Sequence, residues 1–338
     1  MVRQLLFTFL FFTSTYPTFG QAVARARESL NYFERHTFPL CRESIESTIS
    51  DFCKQELIAD NSSSKFLIHK LEKELRHFQN HKVPKAHESI PSEYSRFLQV
   101  LIDYTSKCSI LKSEIQEDSI LVTRAKILGY HKSVLTAATR LEQEVAIYRI
   151  ENQLTRTEDG SRIAIFFREA QKRLEYLHGI QTYLIPVSKM ETACMESLLK
   201  DSIQTSEKRR AEFSKLVEIN NINLKNHPAC CGDYLVKNAA LNSLRLFAKE
   251  ARNEIVHIEN FIVSEQDFKV HCQKVKKNGM ETEAEKQVCR DAVRKYNTDI
   301  KNANELVENL EKTRKEHLSA FYSAQTTFLE TWLKDFQE

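Results

Sequence analysis

From Ile120 onward, apolar residues return at every seventh position: Ile120, Ile127, Val134, Leu141 and Tyr148, with Leu121, Leu128 and Leu135 one place on. Side chains seven apart share one face of an α-helix, so this run predicts a long helix with a broad apolar stripe. Its start is placed near Ser92, an N-cap after Pro91, and Gly129 inside it marks the position for a kink.

A second stripe closes the chain. Val293, Ile300, Val307, Phe321 and Phe328 hold one heptad position, and Tyr296, Ala303, Leu310 and Ala324 hold another. Arg314 and His317 interrupt the seam at those same two positions. The stripe predicts a long helix packed inside the protein's own bundle, with Val307 in the core. The alternative is an intermolecular coiled coil in which the polar pair fixes register.

Shorter periodic runs predict helices over 22–35, 42–59, 63–80, 161–185, 188–223 and 233–277, with the terminal one over 281–336. Ile163, Phe166, Ala170, Leu174 and Leu177 mark one buried face, and Ala251, Ile255, Ile258 and Ile262 another. Asp201 to Glu212 is polar on nearly every side and reads as a hinge. That gives an N-terminal lobe over 21–200 and a C-terminal lobe over 213–338.

Six Pro and six Gly in 338 residues is far below average usage of about 5% and 7%. Sheets need turns, and the residues that make turns are missing. Pro39, Pro84, Pro91, Gly160, Pro186, Pro228, Gly232 and Gly279 mark where helices should stop. The fold class is all-α: an elongated bundle of long amphipathic helices.

Residues 1–20 change the compartment. Arg3 supplies a positive start, Leu5 to Phe12 an apolar run, and Thr18-Phe19-Gly20 a small-residue cleavage site. This is the pattern of a secretory signal peptide, too short for the roughly 20 apolar residues a membrane span requires. Cleavage is expected after Gly20, with Ala22-Val23-Ala24 as an alternative site. No further segment reads as transmembrane, so the expected localisation is secreted.

Secretion in turn decides the reading of eight cysteines: Cys41, Cys53, Cys108, Cys194, Cys230, Cys231, Cys272 and Cys289. An even count in an oxidising compartment predicts four disulfides stapling the bundle. Cys272 and Cys289 flank the helix stop Lys276-Lys277-Asn278-Gly279, where an antiparallel hairpin brings two faces together and makes them the expected pair. Cys41 and Cys53 would be roughly 18 Å apart on one helix and must each reach elsewhere. Adjacent Cys230 and Cys231 are expected to bond different elements. Asn61-Ser62-Ser63 is an N-glycosylation sequon between two predicted helices, and Asn61 or Ser62 doubles as a cap.

Charge excludes more than it selects. Loss of Arg3 lowers the formal charge from +3 to +2, and basic and acidic residues are interspersed, so nothing selects nucleic acid. His69, His77, His81 and His87 cluster, with His77 and His81 one helical turn apart, but Phe78-Gln79-Asn80 between those two hold no carboxylate, His87-Glu88 runs into Ile90-Pro91, and no metal is expected. Nucleophile elbow, phosphate loop, dinucleotide fingerprint and calcium loop are all missing. No catalytic residue and no cofactor are expected. The expected function is non-enzymatic: binding an extracellular or cell-surface protein through helix faces. The alternative is a carrier of lipid or a small apolar ligand, with Phe166, Phe167, Phe247, Phe261, Phe268, Phe321 and Phe328 as candidate cavity lining.

Overall fold

A computed structural model describes residues 24, 27–28, 30–52, 62–80, 89–113, 120–151, 162–200, 202–232, 234–278 and 282–336. The described residues are almost entirely helical, without a strand. A π-helical turn, Phe33–Thr37, leads into α1 (Phe38–Phe52). Then come α2 (Ser62–Asn80), α3 (Ser89–Ser113), α4 (Ile120–Glu151), α5 (Arg162–Lys200) and α6 (Ile203–Asn226). A second π turn, Glu250–Glu254, joins α7 (Leu235–Lys249) to α8 (Ile255–Asn278), and α9 runs from Glu283 to Asp335. None of the described helices is long and apolar enough to cross a membrane. The expected signal peptide, Asn61, Cys53, His81 and His87 lie outside the described residues.

The chain divides into two compact units, one ending at Glu175 and the other beginning at Tyr176, within α5. Of the polar stretch 201–212, read as a hinge, residues 203–212 form the first turns of α6, where Ser202 caps the helix by accepting from the Thr205 backbone N–H at 3.4 Å.

The first unit closes on an aromatic core. Phe33 stacks on Tyr94 at 4.0 Å, and Phe97 meets Phe167 edge-on at 5.8 Å. The α4 stripe faces inward as its period requires: Ile127, Val134, Leu141 and Tyr148 are all buried. Each such side chain contributes about 1.5–3 kcal/mol relative to exposure. Gly129 has open space where a Cβ would lie, so no close packing demands glycine there.

Three expected stops are not stops. Pro39 follows directly on the π turn Phe33–Thr37 in a run that is helical from residue 30, and Pro91 lies in the first turn of α3, where a missing N–H costs nothing. Pro186 sits inside α5, which continues to Lys200. Leu184 and Val187 on either side are buried, so packing outweighs the one helical hydrogen bond that proline forgoes. Pro228 does end α6, and Gly232 takes the left-handed conformation (φ 75°) in the following turn.

The second unit holds α6 to α9 and the end of α5. Thr282 and Glu285 form a capping box that starts α9: Thr282 accepts from the Glu285 N–H at 3.3 Å, and Glu285 accepts from the Thr282 N–H at 3.2 Å. The terminal seam divides in two. Leu310, Phe321, Ala324 and Phe328 are buried, but Val293 and Val307 are 36% and 40% exposed. Burial of Val307 in the core, expected from the heptads, is thereby overturned. Seven-residue periodicity defines a face without specifying what covers it.

Among the described cysteines no two sulfurs stand at bonding distance, about 2.05 Å. Cys272 and Cys289 approach to 2.7 Å, and Cys230 and Cys231 to 2.8 Å. Cys41, Cys108 and Cys194 are buried. The four-disulfide staple is therefore not a feature of the described structure.

Candidate functional site

Helix α8 and the first half of α9 form a hairpin. Tyr296 locks it, stacking on Phe268 at 4.8 Å and on Phe261 at 5.9 Å. The Tyr296 hydroxyl donates to Glu265 at 3.4 Å, and the Ser264 hydroxyl donates to Asp299 at 3.2 Å. Tyr296, Ala303 and Leu310 thus form the column of α9 that faces α8. The small Ala303 follows the bulky Tyr296 in that column, and the helices leave a groove of about 510 Å³ beside it.

The groove is lined by His257, Asn260, Phe261 and Ser264 of α8, and by Lys295, Asp299, Asn302, Ala303 and Leu306 of α9. Phe261, Ala303 and Leu306, all half-buried, are its apolar lining; the other six, four of them exposed, bring one lysine, one carboxylate, two amides, an imidazole and a hydroxyl. Apolar lining combined with polar groups is how a protein surface accommodates an anchoring side chain of another protein.

Two turns further along α9, a buried ionic cluster ties the helix down. Arg314 contacts the Glu191 carboxylate of α5 as an ion pair and lies 3.9 Å from Glu250 of the π turn. Both glutamates are 1% exposed. Glu254 stands in the same turn and pairs with Lys249 at 2.7 Å. Burial pushes Glu250 up to about 8, with Glu191 and Glu254 adding to the rise and Arg314 and Lys249 opposing it. Burial likewise raises Glu191 against the pull of Arg314. The polar break in the seam is thus an intramolecular tie to α5. A nearby pair repeats the device: Arg210 of α6 donates to Glu259 of α8 at 2.7 Å. Nothing in the sequence motifs marked Glu191 or Glu250; the signal available was Arg314 at a heptad core position, a charge that needed a buried partner.

The loop after α6 is pinned in the same unit. His227 stacks on Tyr176 at 5.7 Å and meets Tyr183 edge-on at 5.6 Å. A Cβ on Gly179 would fall 2.9 Å from the His227 ring, so glycine is what admits the imidazole. Cys231, next in the turn, has a left-handed backbone (φ 58°) and is exposed.

The remaining expected sites disperse. His77 stacks on Tyr32 at 4.1 Å, and His69 is exposed. His131, not singled out from sequence, is buried and bonded to Gln171 at 2.6 Å; burial pushes it down to about 4, so it is a neutral core histidine. Among the described residues, no group of three or more His, Cys, Asp or Glu side chains is placed to hold a metal ion. Burial raises the Cys194 thiol to about 11 and the Cys41 thiol further, which keeps both protonated and unreactive. Of the phenylalanines considered as cavity lining, Phe166, Phe167, Phe247, Phe321 and Phe328 are buried core residues, and Phe261 alone among the seven borders the groove.

Comparison of the chain with protein-family models, with curated proteins and with solved structures finds no match.

Proposed function

We propose that this is a secreted, non-enzymatic helical protein that binds an extracellular or cell-surface protein through the α8–α9 hairpin. The observation that carries the reading is the groove of about 510 Å³, lined by Phe261, Ala303 and Leu306 together with His257, Lys295, Asp299 and Asn302. A lipid or apolar ligand suits it less well, because most lining side chains are polar and the other candidate phenylalanines are spent on packing. Secretion rests on the pattern of residues 1–20, and glycosylation on the Asn61 sequon. The disulfide proposal is narrowest at Cys272–Cys289, whose sulfurs, 2.7 Å apart across the hairpin, need only a small rotation to bond. That bond would hold the free end of the hairpin closed.

A photo-reactive residue at Asn302 tests the partner class. Added to intact cells, the labelled protein should give a discrete protein adduct that excess unlabelled protein competes away. The same label at Gln204, exposed on α6, should not. Adducts formed only with lipid, or equally from both positions, would contradict the proposal.

A further inference from the structure

The flank of α9 opposite the groove carries a second surface. Asp299 and Leu306 follow Tyr296 and Ala303 by three residues and line the groove. Val293, Ile300 and Val307 precede Tyr296, Ala303 and Leu310 by three, which places them on the other flank of the α8-facing column. Val293 and Val307 are 36% and 40% exposed, and Ile300 between them is half-buried. The same column is buried at Phe321 and Phe328. A heptad-spaced aliphatic stripe therefore lies in the same column as a core seam, separated from it by Arg314, and is partly exposed.

The charges beside the stripe select its occupant. One column outward stand Arg290, Asn297, Asn304 and Glu311, and next to it Arg294, Lys301 and Glu308, all exposed. Beside the stripe itself, from Arg290 to Glu311, both columns run from basic at the N-terminal end to acidic at the C-terminal end. A second α9 laid antiparallel, with a two-fold axis beside Ile300, brings Arg290 against Glu311 of the other copy, Arg294 against Glu308 and Asn297 against Asn304, while the exposed Lys301 of each copy meets its counterpart at the axis, where its long side chain can turn out to solvent. Each contact then occurs twice, as an isologous interface requires. Parallel pairing would set Arg290 against Arg290 and Glu311 against Glu311. The existing partners are exposed neighbours on the same helix, Lys315 with Glu311 at 2.7 Å and Asp291 with Arg294 at 3.9 Å, and such pairs are weak competitors.

We propose that two copies of this chain associate through an antiparallel contact of the Val293–Ile300–Val307 stripe of α9. The inference uses the flank away from the groove, so it does not depend on the partner-binding reading. The stripe is about 20 Å long, about 30 Å with the flanking Arg290 and Glu311, and one helix, about 10 Å, wide. This contact is smaller than a standard interface, and the dimer forms as a concentration-dependent equilibrium.

Sedimentation velocity of the full mature chain over a hundredfold range of concentration tests it. The weight-average mass should rise toward twice the monomer. Ile300→Asp should remain monomeric throughout, with the circular dichroism and thermal midpoint of the parent. Arg290→Glu should weaken association several-fold, and Arg290→Glu combined with Glu311→Arg should restore it. The charge variants lie on an exposed surface and keep the test valid if Ile300→Asp disturbs folding. A parent chain that is monomeric at every concentration would overturn the proposal. So would a dimer unaffected by Arg290→Glu, or a charge reversal that fails to rescue.

Discussion

Arg314 of α9 reaches back to Glu191 of α5, a carboxylate 1% exposed, and that ion pair holds the root of the α8–α9 hairpin. A second buried carboxylate, Glu250, shares the same guanidinium at 3.9 Å. Removing the cation leaves the buried Glu191 without compensation, whereas removing both members of the pair does not; Glu250, which burial holds protonated, is affected alike in both. Arg314→Met is therefore expected to destabilise the protein by about 3–5 kcal/mol. Glu191→Gln with Arg314→Met should cost clearly less than the sum of the single changes. Denaturant unfolding of the four proteins in the cycle measures this; additive effects would separate the two residues.

The same cluster sets a pH dependence. The folded protein holds the Glu250 proton more tightly than an ordinary carboxyl does, its value having risen from 4.5 to about 8. Folded Glu250 thus stays protonated where the unfolded side chain has ionised. Its contribution to stability is complete below about 4.5 and is lost as pH rises through 8. Glu191 shifts in the same direction. The thermal midpoint should fall between about pH 4.5 and pH 8, by about 2–4 °C for each kcal/mol lost, and level off above that. Glu250→Gln should flatten that fall. A slope unchanged in Glu250→Gln would assign it elsewhere.

Two glycines inside helices should respond in opposite senses to alanine. Nothing lies within 4 Å of a Cβ placed on Gly129, so Gly129→Ala gains helix propensity and should stabilise by about 0.5–1 kcal/mol. On Gly179 the Cβ meets the His227 ring at 2.9 Å, and Gly179→Ala should destabilise and displace the loop after α6. Thermal melts of both variants decide; stabilisation of both would mean His227 moves aside freely.

Much of this architecture was legible in the sequence because helices announce themselves by period. The α4 stripe and the buried α9 positions from Leu310 to Phe328 follow from spacing alone, and the capping box at Thr282 lies within two residues of the helix start read from the pattern. Pro186 misled because a proline's local cost is visible in the sequence and the packing of Leu184 and Val187 that offsets it is not. Glu191 and Glu250 stayed hidden for a related reason: an isolated glutamate in a helix reads as solvated, and its burial is decided by distant Arg314. The groove depends on Ala303 meeting α8 beside Phe261, a juxtaposition that no one-dimensional pattern contains.

The hairpin cysteines give a covalent test. Peptide mapping without reduction, on protein collected from the medium of a eukaryotic host, should recover one fragment containing both Cys272 and Cys289, from a chain beginning at Gln21. Each cysteine bonded to a different distant partner would remove the hairpin staple, and retention of residues 1–20 would remove the secretory reading.

The central claim is that the groove between α8 and α9 receives a protein, and binding of the labelled mature chain to intact cells tests it most directly. Binding should saturate, and prior treatment of the cells with protease should abolish it. Leu306→Glu, which places a charge in the apolar lining, should lose it while retaining the parent's circular dichroism and thermal midpoint. Saturable binding undiminished in a folded Leu306→Glu variant, or binding that survives protease treatment of the cells, would contradict the account.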